Sequence, residues 1–218
     1  MSESKSQQSR HTVTRIDVIR HGEPEGGEVF RGRTDHALTD NGRRQFRERL
    51  GAHPANWQQV ISSPLQRCHE SALETVTKLK REGHNIDCTT DERWAEIDYG
   101  EWEDCLISDI TRAQKTQFRA LWEDPMNFCA PGGEPVSALQ QRVLSAWASL
   151  LENHAGQHVL VVSHGGVMRV LAQHLLMLAP EAMNRLGIPF AGMLRFRVDQ
   201  MPGETPWVTL EGLHGQVL

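Results

Sequence analysis

The fold turns on two short stretches, Ile16-Asp17-Val18-Ile19-Arg20-His21-Gly22 and Val159-Leu160-Val161-Val162-Ser163-His164-Gly165-Gly166. Each is an apolar run of strand length that stops at a histidine followed by glycine. A buried strand ending this way delivers its histidine to one rim of a sheet, and in open α/β sheets that rim is where ligands bind. Arg20 precedes the first histidine. Two such strand ends, far apart in sequence, predict one anion site assembled from both halves of the chain.

Working outward, strands and helices alternate. Thr14–Ile19 reads as a strand, and Glu23 to His36 as a loop with three glycines. Thr39 is placed to cap a helix that carries Phe46 and Leu50 and ends at Gly51. A strand at Gln58–Ser62 leads to a helix that Ser62-Ser63-Pro64 should cap, with Pro64 near its first position and Gly83 as its stop. A third strand is predicted at Ile86–Thr89, helical segments over Asp104–Leu121, and a loop from Asp124 to Glu134. An amphipathic helix follows over Pro135–Leu151, then the strand Val159–Val162 and a helix Val167–Leu178. Gly192–Val198 and Trp207–Leu213 close the chain as two strands, antiparallel or at an edge. The expected class is α/β, with a mostly parallel central sheet and helices on both faces. Residues 1–12 read as a disordered tail and 13–218 as one domain, with a small helical cap inserted at about 99–134.

The chain has 218 residues, 23% of them charged, and a net charge of −5 with histidine neutral. An acidic protein that handles an anion must concentrate its cations locally. Nothing resembles a basic stripe for nucleic acid. No apolar run reaches membrane-spanning length and the N-terminus lacks a signal peptide, so a cytoplasmic protein is expected. Cys68, Cys88, Cys105 and Cys129 are too scattered for a zinc or redox pair. His154 and His158 straddle Gly156 in a turn and are no ligand pair. No metal and no cofactor is expected.

Arg67 falls one turn into the helix after Ser63 and can face the same rim as Arg20, His21 and His164. A helix N-terminus after Gly165-Gly166 would add backbone N–H donors aimed at an anion. Two guanidiniums, two imidazoles and a helix end suit a phosphoryl group, which arginine grips bidentately without losing its charge. Flanking arginines push an imidazole pKa down, and neutral histidine is a competent nucleophile toward phosphorus. An alcohol leaving group calls for a general acid. Glu96, between Trp94-Ala95 and Ile97, has the most apolar neighbours of an acidic cluster that also holds Asp98 and Glu101, so its carboxyl should be raised toward neutrality. Trp94 and Trp102 read as packing.

These segments resemble the histidine phosphatase superfamily, the phosphoglycerate mutase-like group. Arg20-His21-Gly22-Glu23 is similar to its signature, Gly32 to Gly42 to G-x-x-D-x-x-L-T-x-x-G, and Ser62 to Arg67 to S-S-x-L-x-R. Glu96 to Glu103 is similar to E-x-x-x-G-x-W-E, and Pro131 to Glu134 and Ser163 to Gly166 follow in the family order. The resemblance implies that His21 accepts the phosphoryl group, that Arg20, Arg67, His164 and Gly165 bind phosphate, and that Glu96 donates the proton. It implies a small phosphorylated metabolite as partner, hydrolysed through phosphohistidine. Phosphoglycerate mutase-type transfer and a non-catalytic phosphate-binding protein are the other readings. The 68 residues from Glu96 to His164 are short for a mutase lid and favour hydrolysis. Within the family, Arg20 to Pro24 with Gly26-Gly27 and Arg31-Gly32 looks most like the α-ribazole phosphatase branch. Two positions depart from the pattern. Many members carry a phosphate-touching Asn where this chain has Gly27, so a donor is lost or replaced by Arg31 or a backbone N–H. The acidic block usually ends in Gly, and here it ends in Asp104. An edge strand near the C-terminus could pair in a homodimer.

Overall fold

A computed structural model describes residues 11–215. The strands are β1 (Thr12–Arg20), β2 (Gln59–Ser62), β3 (Cys88–Thr90), β4 (His158–Ser163), β5 (Met193–Gln200) and β6 (Trp207–His214). The helices are α1 (Asp40–Ala52), α2 (Gln66–Arg81), α3 (Ile107–Ala113), α4 (Lys115–Glu123), α5 (Val136–Asn153) and α6 (Gly165–Leu175). The sheet order is β3-β2-β4-β1-β5-β6. The first four strands run parallel, and β5 and β6 are antiparallel. The fold is therefore α/β with a mostly parallel sheet and helices on both faces.

The alternation of strand side chains sorts the core into two layers. Ile16, Val18, Val159 and Val161 pack with Trp147 of α5 and Leu171 of α6. Ile19, Leu160 and Val162 face the other way, onto Phe46 of α1 and Cys68 and Ala72 of α2. Burying each of these aliphatic side chains contributes roughly 1.5–3 kcal/mol. Asp17 of β1 is fully buried in the second layer. Trp57 Nε1, His158 Nε2 and the Arg195 guanidinium surround its carboxylate at 2.7–3.0 Å. Burial alone would raise its pKa, but the His158 and Arg195 contacts outweigh that and hold it low.

Several boundaries move. Thr39 caps α1 as expected, its Oγ1 accepting from Gly42 N at 2.9 Å. Pro64 lies outside α2, which starts at Gln66. The Asp35 carboxylate, from the glycine loop, accepts the Gln66 N–H at 2.8 Å and replaces the local serine cap. The predicted helix Val167–Leu178 is α6, which starts two residues earlier, with His164 in the N-cap position. The expected tail, residues 1–12, lies outside the described residues except His11 and Thr12, and Thr12 already pairs with Gln200 in β1.

Between β3 and α5, α3 and α4 form the helical insertion. Its inner side is aromatic, with Phe30 packing at 5.0 Å centroid distance against both Tyr99 and Trp102. Trp94 and Trp102 are fully buried packing residues. Among the described residues no helix is long and apolar enough to cross a membrane.

Candidate active site

Parallel pairing of β1, β4 and β2 brings their carboxyl ends together, with Arg20 opposite Ser163 and Ser62 opposite Val162. The ladder continues one residue further, His21 N donating to Ser163 O at 3.0 Å and Ser63 N to Val162 O at 2.9 Å. His21, Ser63 and His164 thus leave the sheet side by side. Gly22 then passes so close to α1 that a Cβ on it would lie 2.0 Å from the Gly42 carbonyl oxygen. No other residue fits there.

His21 Nδ1 is 2.7 Å from the Gly22 carbonyl oxygen. A carbonyl only accepts, so Nδ1 carries the proton and Nε2 keeps a free lone pair. Burial, then the charges of Arg20 and Arg67, hold His21 well below the ordinary histidine pKa. His164 is also held well below the ordinary value, by burial, Arg67 and His21. The two rings stand 5.2 Å apart, and His164 Nε2 meets Ser63 Oγ at 2.7 Å.

Arg20 donates through Nη1 to Ile188 O at 2.7 Å, and its Cζ sits 4.2 Å from the centre of the Phe190 ring. Burial draws its pKa down to about 10. Arg67 donates to Thr34 O at 2.7 Å and to Gly32 O at 2.6 Å. Those carbonyls are fixed by Glu103, whose carboxylate accepts from the backbone N–H groups of Gly32, Arg33 and Thr34 and from Thr34 Oγ1. Buried Nε atoms on both arginines have no hydrogen-bond partner among the described residues. Such orphaned donors are rare in folded proteins and suit an anion.

Glu96 is 7% exposed. Its carboxylate accepts from Ile97 N and Gly166 N, both at 3.0 Å. A Cβ on Gly166 would lie 2.4 Å from Glu96 Oε1, so only glycine admits the carboxyl at the start of α6. Arg20, His21, Glu96, Gly165 and Gly166 all border one cavity of about 290 Å³. Arg67 and His164 are brought to the site but lie beneath its surface, each fully buried. Asp98 and Glu101 do not border the cavity; Asp98 Oδ1 instead accepts from Gly100 N at 2.8 Å.

The family description "Histidine phosphatase superfamily (branch 1)" matches residues 16–206. The chain belongs to this superfamily. Its relatives include phosphoserine phosphatase 1 of Hydrogenobacter thermophilus, 29% identical over 162 residues that cover 73% of this chain and 74% of that one. A protein named probable phosphoglycerate mutase GpmB in Salmonella choleraesuis is 31% identical over 178 residues, 80% of each chain. Among solved structures, the α-ribazole phosphatase from Shigella flexneri shares the fold with a TM-score of 0.76 and 23% identity, covering 92% of this chain and 96% of that one.

In this histidine phosphatase, several residues that shape the site escaped the sequence reading. Arg169 borders the cavity four residues into α6 after Gly165, a spacing that helical periodicity could have revealed. Arg142 holds the Glu96 segment, donating to the carbonyls of Ala95 at 2.6 Å and Glu96 at 3.0 Å while paired with Glu134 at 2.7 Å. The turn before β5 braces Arg20 and His21: Ala191 N donates to His21 O at 3.0 Å and Arg20 N to Gly192 O at 2.9 Å. Ala191 adopts a φ of +54° to do so. Gly187, Pro189 and Gly192 mark a turn locally, but its role in the site depends on its remote partner. Cys68 touches His164 at 3.5 Å, and burial pushes its thiol pKa up, so it is an inert packing group.

Proposed function

We propose that this histidine phosphatase hydrolyses a small soluble phosphate monoester through a phosphohistidine at His21, without a metal. The observation that carries the reading is His21 itself: neutral, tautomer fixed by Gly22 O, Nε2 free, beside two arginines with unpaired buried Nε atoms. Attack by Nε2 forms an N–P bond as the P–O bond to the alcohol breaks. Glu96 acts as the general acid that gives a proton to the leaving oxygen. Water then attacks phosphorus, the Glu96 carboxylate takes the water proton, and the N–P bond breaks to release phosphate. Arg20 and the α6 N-terminus at Gly165 neutralise the phosphoryl oxygens, and Arg67 and His164 support them from below.

The walls select the alcohol. Phe30, Ile97, Tyr99, Phe118, Trp122 and Met183 give the cavity a largely apolar lining beside its cations. That lining suits a monoester whose alcohol carries an apolar, aromatic group. α-Ribazole 5′-phosphate, with an aromatic base on its ribose, is the substrate we favour. The resemblance of residues 20–32 and the shared fold of the Shigella flexneri enzyme support it.

Turnover of p-nitrophenyl phosphate in excess chelator should be readily measured for the parent and lost in His21→Ala. The trapped phospho-enzyme should be acid-labile and alkali-stable. No phosphate release by the parent would point to a binding protein, and phosphoglycerate interconversion faster than hydrolysis would point to a mutase. A panel of monoesters compared by kcat/KM, with α-ribazole 5′-phosphate among them, tests the substrate.

A further inference from the structure

The two departures from the family pattern, Gly27 and Asp104, meet at one side chain. Arg31 borders the cavity alongside Arg20 and His21. Its Nε donates to His36 Nδ1 at 2.8 Å, and its Nη2 donates to the carbonyls of Glu25 at 2.6 Å and Gly27 at 3.0 Å. An imidazole nitrogen that accepts carries no proton, so the His36 proton is on Nε2. There Asp104 Oδ1 lies 3.5 Å away. The Asp104 N–H in turn donates to Phe30 O at 2.9 Å, which pins Asp104 next to the Arg31 backbone.

This relay is maintained against local preference. Asp104 holds a φ of +60°, a region that side chains other than glycine rarely enter. Gly26, at φ +87°, leaves room for the His36 ring, because a Cβ there would lie 2.7 Å from it. The Arg31 charge reaches the pocket, since it is one of the cations that depress the His21 pKa. Nη1 is the guanidinium nitrogen left without a hydrogen bond among the described residues.

We infer that Arg31 contacts the substrate, its guanidinium held by His36 and Asp104 so that Nη1 meets a phosphoryl oxygen where residue 27 offers no side chain. His36 and Asp104 are positioning residues. The inference deepens the phosphomonoesterase reading and rests on it.

The test is steady-state kinetics with p-nitrophenyl phosphate and competitive inhibition by inorganic phosphate. Arg31→Ala should raise KM and the phosphate inhibition constant roughly tenfold to hundredfold, the loss expected for one charged hydrogen bond. Arg31→Lys should recover only part, because an ammonium lacks the fork. Asp104→Gly should raise the phosphate constant about threefold while the melting temperature holds or rises, since glycine relieves the backbone. A mere loop brace would instead lower it. Gly27→Asn, added to Arg31→Ala, should lower the phosphate constant again: a Cβ at position 27 meets nothing within 4 Å, and Asn tolerates its φ of +69°. Phosphate inhibition in Arg31→Ala within twofold of the parent overturns the inference, whatever happens to stability. Parent turnover and its loss in His21→Ala are read in the same assay, so that result would leave the phosphatase reading standing.

Discussion

The floor of the cavity and its mouth are built on opposite plans. On the floor, His21, Arg67 and His164 are at most 4% exposed. Arg67 and His164 are tied through their side chains to remote segments, and His21 through its backbone to Ser163 and Ala191. Glycines at 22 and 166 let α1 and the Glu96 carboxyl close in on the floor, where a Cβ would meet Gly42 O and Glu96 Oε1. At the mouth, Trp122 is 50% exposed and α4 buries none of its residues. A floor fixed from many directions holds one geometry for one chemical group. A mouth with so little of its surface buried can vary its shape and its preferred alcohol without disturbing that geometry.

The contrast breaks most sharply at Gly166. In Gly166→Ala the new methyl must displace the Glu96 carboxyl, while the helix accepts alanine readily. Turnover of an alkyl phosphate, whose leaving oxygen needs a proton, should fall by roughly a hundredfold to a thousandfold. An aryl phosphate with a good leaving group should lose much less, and inhibition by inorganic phosphate should barely change. Equal losses for the two substrates would show that Gly166 shapes the floor generally and that Glu96 is not the proton donor.

A smaller, pH-dependent effect separates the floor's chemistry from its stability. His21 and His164 are depressed first by burial and then by neighbouring cations. In the unfolded chain each takes up a proton near pH 6.5, but in the folded protein only at much lower pH. The unfolded state therefore binds more protons below that point, so stability is full above pH 6.5 and is lost as pH falls toward the folded values. The nucleophile stays unprotonated through the same window. Stability against chemical denaturation should thus fall between pH 6.5 and 5 while His21 adds no acid limb to kcat/KM there. His164→Gln should reduce the stability slope by about one proton. A kcat/KM limb near pH 6.5 that vanished in His164→Gln would show that the two imidazoles share a proton in the native state.

The two regions also differed in how far sequence alone described them. Arg20-His21-Gly22 and Ser163-His164-Gly165 could be placed because a strand followed by glycine is a local signal, and parallel pairing converts two local signals into one site. Glu96 could be preferred over Asp98 and Glu101 from its immediate neighbours, and it is the one of the three that borders the cavity. What escaped was held by long-range partners. Asp35 caps α2 from the loop 31 residues earlier, a partner that local serine chemistry concealed. Glu103 closes the Glu96 to Glu103 block with no local sign of its task, yet it anchors the loop that grips Arg67. The early start of α6 follows from Gly165 and Gly166, which read as a loop and are helical because Glu96 takes the Gly166 N–H.

The mildest test lies at the mouth. Trp122 borders the cavity while half its surface faces solvent, so its ring is placed to cover a bound alcohol. Trp122→Ala removes apolar area that substrate would bury, at roughly 25 cal/mol per Å². KM for a monoester of an aromatic alcohol should rise about threefold to tenfold, with kcat and phosphate inhibition near parental values. A monoester of a small polar alcohol should show no change. A loss of kcat common to both substrates would mean that α4 also orders the floor, and the division between a rigid chemical end and an adaptable selecting end would have to be withdrawn.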